Sequence, residues 1–137
     1  MIVVIDTNVF MAGLLKDSIV RQILFFNHIK FFLPENAISE INKYKGDLIK
    51  RGNYTENEFN KLFGLLLERV ILVQKETISP FVKKSKEIMK DIDIDDSTFI
   101  ATALAINADG IWTFDKHFKQ QAKVKVISTK DLIKTLD

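Results

Sequence analysis

The chain of 137 residues contains no cysteine. A disulfide framework and a thiolate metal site are both excluded, and the absence fits a reducing, cytoplasmic setting. Excess charge of one sign is also missing: 20 Lys+Arg stand against 18 Asp+Glu, a formal net charge of +2. Overall charge is therefore a weak argument for a polyanionic partner. No apolar run reaches the ~20 residues that cross a bilayer. The most apolar stretch, residues 23–33, is interrupted by Asn27, His28 and Lys30, so a helix running into a strand is expected there, and no membrane association. The N-terminus lacks a basic segment and Asp6 interrupts its first apolar run, so no signal peptide is expected. Repeats, low-complexity tracts and linkers are lacking too. What remains, 47% hydrophobic and 28% charged residues, is the balance of a soluble globular protein. One domain over residues 1–137 is expected, large enough to bury a core of its own.

The order of patterns along the chain predicts an α/β fold. Residues 2–5 are β-branched and apolar and read as a buried parallel strand. A helix over roughly 17–29 is expected, with Ile19, Ile23 and Phe26 near one face and His28 a partly buried packing residue. A short strand at 31–33 stops at Pro34. The next helix runs from about Asn36 to Gly52-Asn53, with Ile38, Ile41, Tyr44 and Leu48 as its inner stripe. Thr55 followed three residues later by Glu58 is a capping box for a helix to about Arg69. Residues 70–73 are a third strand, and Ser79-Pro80 begins a helix with proline at its first position. An acidic loop at 91–96 leads into a helix from Asp96 to about Asn107. Strands at 111–114 and 124–127 and a closing helix at 130–136 complete the series. Alternating strands and helices predict a three-layer α/β/α sandwich on a mostly parallel, about five-stranded sheet.

Within that frame four carboxylates stand where an open parallel sheet brings segments together. Asp6 ends the first strand and Asp115 the fourth, Glu40 lies on the helix after the second, and Asp96 opens a helix. Ligands of open α/β sheets sit beyond the carboxyl ends of the strands, and carboxylates gathered there repel one another unless a cation is present. This points to a divalent metal and to phosphate chemistry. An Asp after a strand also serves as an ordinary helix cap, and Asp93 and Asp95 suit that role better than a ligand role. Asp96 differs, because it precedes Phe99 and Ile100 by three and four residues and so faces the core side of its helix. Asn8 and Thr113 are short polar neighbours able to orient a carboxylate. His117 needs no role beyond a modest chance of substrate contact, and Trp112 reads as core. Lys43, Lys45, Lys50 and Arg51 follow Glu40, and Lys116, Lys119, Lys123 and Lys125 follow Asp115. Both clusters suit phosphates, and both equally suit solvated helix faces.

Taken together these segments resemble the PIN-domain nucleases. The resemblance is carried by Asp6-Thr-Asn after the first strand, Pro34-x-x-Ala37-x-x-Glu40-Ile41, Asp95-Asp96-x-x-Phe-Ile-Ala, and Thr113-x-Asp115-Lys-His-Phe. It implies a metal-dependent endoribonuclease, with Asp6, Glu40, Asp96 and Asp115 as catalytic metal ligands and Asp93, Asn8 and Thr113 as auxiliaries. It further implies one or two Mg²⁺ or Mn²⁺ ions, an RNA substrate and a homodimer. Many small relatives are toxins inhibited by an antitoxin protein encoded alongside. The alternative is a PIN-fold module that binds RNA or protein without catalysis. Phosphatases of the haloacid-dehalogenase type need Asp-x-Asp after the first strand, where this chain has Asn8. Receiver modules need an acceptor Asp after a middle strand, where it has Gln74-Lys75.

Overall fold

The computed structural model describes residues 1–15 and 18–136. Five strands form one parallel sheet: β1 (Ile2–Ile5), β2 (Lys30–Pro34), β3 (Val70–Val73), β4 (Gly110–Trp112) and β5 (Val126–Ile127), in the spatial order β3-β2-β1-β4-β5. β1 lies at the centre because it buries both of its faces. Val3 and Ile5 point into one core and Val4 into the other, all with no exposed surface. β-Branched side chains crowd a helical turn but fit a pleated strand, and a parallel strand covered on both sides needs a continuous apolar run.

The first face carries α1 (Thr7–Gly13), α2 (Ile19–Leu24), α3 (Ala37–Lys43), α4 (Lys45–Gly52), α5 (Glu56–Leu67) and α9 (Thr129–Lys134). Phe10, Phe31, Phe59, Leu66 and Trp112 fill the core between these helices and the sheet. The opposite face carries α6 (Lys75–Ile78), α7 (Val82–Met89) and α8 (Ser97–Ala105), where Met89, Ile100 and Ile111 pack with Phe118 of a short 3-10 turn. Each fully buried large side chain stabilises the fold by roughly 1.5–3 kcal/mol. The result is a three-layer α/β/α sandwich. None of the helices described is long and apolar enough to cross a membrane.

Several boundaries differ from the sequence expectation, each for a local reason. The helix expected over 17–29 corresponds to α2, and its expected start lies outside the described residues; α1 before it was not expected. α2 begins after Ser18, whose side chain accepts from Arg21 N, and stops at Leu24 rather than 29. His28 is consequently exposed, stacked on Phe26 with ring centroids 5.5 Å apart and hydrogen-bonded to Thr135 at 2.7 Å. The helix expected from Asn36 to Gly52 breaks at Tyr44, which caps α3 and precedes α4. The break takes Tyr44 out of phase with Ile41 and Leu48, and it is 48% exposed rather than part of the inner stripe. The helix expected from Ser79 is preceded by the extra turn of α6, and Pro80 sits in a 3-10 turn between α6 and α7. The last strand is shorter than expected because the Gln121 side chain takes over the backbone groups of Val124, accepting from its N–H at 2.9 Å and donating to its carbonyl at 2.7 Å.

Candidate functional site

The order of the strands reverses between β1 and β4. From β1 the chain builds outward through β2 to β3, then returns to the other side of β1 for β4 and β5. Loops leaving the carboxyl ends of β1 and β4 therefore diverge and leave a crevice, the usual ligand position in such a sheet. Asp6 stands at one lip and Thr113 to Asp115 at the other.

Asp6 is 5% exposed and has two jobs. Its Oδ1 accepts from Val9 N at 2.9 Å and caps α1, while its Oδ2 accepts from the Thr113 hydroxyl. The ordinary capping role and a place in the crevice thus coexist, since each carboxylate oxygen has a lone pair to spare. Burial pushes the Asp6 carboxyl above its ordinary range. The hydrogen bonds from Thr113 and Val9 oppose this, and the charges of Asp115 and Glu40 add to it.

Thr113 is 7% exposed and links the two lips. β4 ends at Trp112, short of the expected 114, so Thr113 and Asp115 lie in the turn beyond it, where the Thr113 hydroxyl oxygen also accepts from Asp115 N at 3.0 Å. Asp115 Oδ1 then accepts from His117 N at 2.9 Å and begins the 3-10 turn Lys116–Gln120. Glu40 is exposed on the first turn of α3 and accepts from Thr7 Oγ1 at 3.2 Å, so the residue after Asp6 ties it to the centre. Asn8 is exposed on α1.

Asp96 precedes α8 but makes no side-chain cap bond. The local capping falls to Asp93, which accepts from Asp95 N at 3.0 Å, while Asp95 is exposed and caps nothing. Asp96 is left free to face the crevice, with Oδ2 buried and without a hydrogen-bond partner. Its carboxyl is pushed up to about 7, first by burial and then by the charges of Asp93, Asp115 and Asp6, with His117 opposing. Those Coulomb couplings run through Asp6, Glu40, Asp96 and Asp115, so the four expected acids share one field.

The tightest group among the described residues is a different one. Ligand atoms of Asp93, Asp96 and His117 all lie within 4.8 Å of one another. His117 Nδ1 stands 3.6 Å from Asp93 Oδ2 and 3.4 Å from Asp115 Oδ1. Sequence reasoning gave His117 no definite role and Asp93 an auxiliary one. The signal for His117 was its place two residues beyond Asp115, where a 3-10 turn folds the ring back over the preceding carboxylate.

The donor set suits a hard divalent cation: carboxylate oxygens with one imidazole and no sulfur. The orphaned Asp96 oxygen agrees, because a buried acceptor without a donor is costly and a cation would satisfy it. Of the two sequence clusters of cations, Lys45 is paired with Glu56 at 3.2 Å and Arg51 with Asp47 at 3.7 Å. Lys116 and Lys119 line a groove that includes Asp115.

The solved structures that share this fold include the following two. VapBC2 from Rickettsia felis, solved bound to a DNA fragment from their promoter, superposes with a TM-score of 0.71 at 15% identity, covering 93% of this chain and 98% of that one. FitAcB from Neisseria gonorrhoeae gives 0.64 at 18% identity, covering 91% and 96%. At such identities the likeness is one of fold. No curated protein sequence matches the chain. The PIN domain family model matches residues 4–135, a span that contains every acid of the crevice together with Thr113 and His117. The chain belongs to the PIN-domain family.

Proposed function

We propose that this protein is a metal-dependent endoribonuclease that hydrolyses phosphodiester bonds at the crevice between β1 and β4. The observation that carries this reading is the orphaned, buried Asp96 oxygen in a field of carboxylates drawn from four separate segments. Asp6, Glu40, Asp96 and Asp115 would hold one or two Mg²⁺ or Mn²⁺ ions, with Asp93 and His117 at the rim. Bound there, a divalent cation supplies Lewis-acid polarisation of a phosphoryl oxygen and makes water acidic enough to attack phosphorus at neutral pH.

The chain's own residues do the positioning. The Thr113 hydroxyl and the α1 amide of Val9 fix both oxygens of Asp6, so that carboxylate does not reorganise when a ligand arrives. Thr7 holds Glu40 toward the centre. His117 places its Nδ1 3.6 Å from Asp93 Oδ2 and 3.4 Å from Asp115 Oδ1, on the rim of the acids.

The test is cleavage of a labelled RNA with Mn²⁺ or Mg²⁺ and with chelator. Wild type should cut with metal and stop with chelator. Asp6→Asn and Asp96→Asn, nearly isosteric, should each lose at least two orders of magnitude in rate while keeping the fold. Failure of wild type to cut any RNA with either metal would replace this reading by a PIN-fold module that binds without catalysis. Membership of the PIN-domain family makes room for a narrower reading, a cytoplasmic toxin restrained by an antitoxin encoded beside it and acting as a homodimer. Growth arrest on expression, relieved by the neighbouring gene product, is the expected result. Light scattering should give twice the chain mass.

A further inference from the structure

The two edges of the sheet are built differently. β5, at one edge, is two residues long and is preceded by the exposed Lys123 and Lys125. Shortness and lysine are common protections of an edge against pairing with another chain. β3, at the other edge, has neither. Its four residues, Val70-Ile-Leu-Val73, include no charge and no proline, and they run in unbroken register along β2 without a bulge. Ile71 is 48% and Leu72 42% exposed. Ile71 pairs with Phe32 and Leu72 with Leu33, so the first lies on the α6–α8 side of the sheet and the second on the α5 side. Apolar surface is therefore open on both sides of one strand.

The hydrogen bonds of β3 define which backbone groups are left over. The Val73 carbonyl accepts from Glu35 N at 3.0 Å, on the β2 side. Backbone groups of a strand alternate sides with a period of two. Ile71 therefore also turns its groups toward β2, and Val70 and Leu72 turn theirs outward. The next outward carbonyl, that of Gln74, is already taken by the amides of Thr77 and Ile78 in α6. Val70 and Leu72 each keep one donor and one acceptor. A second copy of the strand, antiparallel about a two-fold axis beside Ile71, matches this set. Val70 of each copy then faces Leu72 of the other, and each such pair exchanges both of its N–H···O bonds. The two Ile71 side chains meet in the closer, non-hydrogen-bonded pair.

Charge favours the same arrangement. Glu68 precedes the strand and Lys75 follows it; both are exposed, and neither forms an ion pair with a described residue. Antiparallel pairing brings the Glu68 end of one copy to the Lys75 end of the other. Glu76 follows Lys75, one residue further from the strand, and is exposed as well. Arg69 is engaged within its own chain, where its guanidinium donates to the Leu24 carbonyl and to Asn27.

We propose that two copies of this chain associate through β3, joining their sheets into one across a two-fold axis. The proposal rests on the homodimer reading above and names its surface.

Size exclusion with light scattering, on the full chain over a range of concentrations, tests it. Wild type should give twice the chain mass. Ile71→Lys sets like charges directly opposite each other and should raise the dissociation constant on the order of tenfold or more. Glu68→Lys alone and Lys75→Glu alone should each weaken association, and the two together should restore it. These three side chains are exposed, so circular dichroism of every variant should match wild type. A dimer that Ile71→Lys and both single charge reversals leave intact would overturn the β3 interface while the homodimer reading survives. Failure of the double exchange to restore association would overturn the antiparallel pairing. Wild type that stays monomeric at every concentration would overturn both readings and leave the edge to a strand of another protein.

Discussion

Asp96 shows how one side chain links burial, charge and pH. Its carboxyl is raised to about 7 in the folded chain and returns to roughly 3.9 when unfolded. The folded state therefore binds the proton more tightly. The stability from this group is full below pH ~4 and is lost as pH rises through about 7. In metal-free buffer with chelator, thermal melts of wild type should show falling stability between pH 4 and 8. Asp96→Asn carries no titratable group there, so its melting temperature should change less over that range and lie above wild type at pH 8. Parallel pH profiles for the two proteins would show that Asp96 is not the strained carboxylate. Asp6 moves in the same direction for the same first cause, burial, but two hydrogen bonds pull it back.

Among elements, β4 matters most because its end delivers Thr113 and Asp115. It is only three residues long and pairs with both β1 and β5. Its first residue is Gly110 for a packing reason. A Cβ there would lie 2.7 Å from the Lys125 carbonyl oxygen and 2.7 Å from Ile127 Cδ1. Backbone cannot yield as a flexible side chain can, so Gly110→Ala should push β5 away, cost about 1–3 kcal/mol, and lower cleavage by disturbing the Thr113–Asp6 contact. Gly64 in α5 is the opposite case: a Cβ there meets nothing within 4 Å. Gly64→Ala should stabilise by up to ~1 kcal/mol through helix propensity alone, without effect on activity. Denaturant titrations of the two variants should move in opposite directions.

For the molecule as a whole, ionising the buried acids works against folding. Asp6 and Asp96 both resist ionisation, and their neighbours' charges are part of the reason. A cation that binds the folded chain stabilises it by mass action, about 2.7 kcal/mol at a hundred times its dissociation constant. For a domain of this size that is a rise of several degrees in melting temperature. Millimolar Mn²⁺ or Mg²⁺ should produce this rise in wild type and much less of it in Asp96→Asn. An equal rise in both proteins would mean that the ion binds elsewhere, and none in wild type would count against the centre.

Strand β1, the capping box at Thr55 and Glu58 and the α/β order were legible in the residues because each is a local matter. A β-branched run, a hydroxyl three residues before a carboxylate and an alternation of periods have the same meaning wherever the chain goes. The acids at 6, 40, 96 and 115 could be singled out for a related reason, since positions at strand ends and helix starts are predictable once the elements are. The gathering of Asp93, Asp96 and His117 was not legible. It depends on which segments meet in space, and that is settled by the strand order β3-β2-β1-β4-β5. The order opens a crevice at β1 and β4, and the side of β1 on which the next strand is laid down is invisible in any single stretch of chain. Local chemistry is written residue by residue, whereas convergence is a property of the packed sheet.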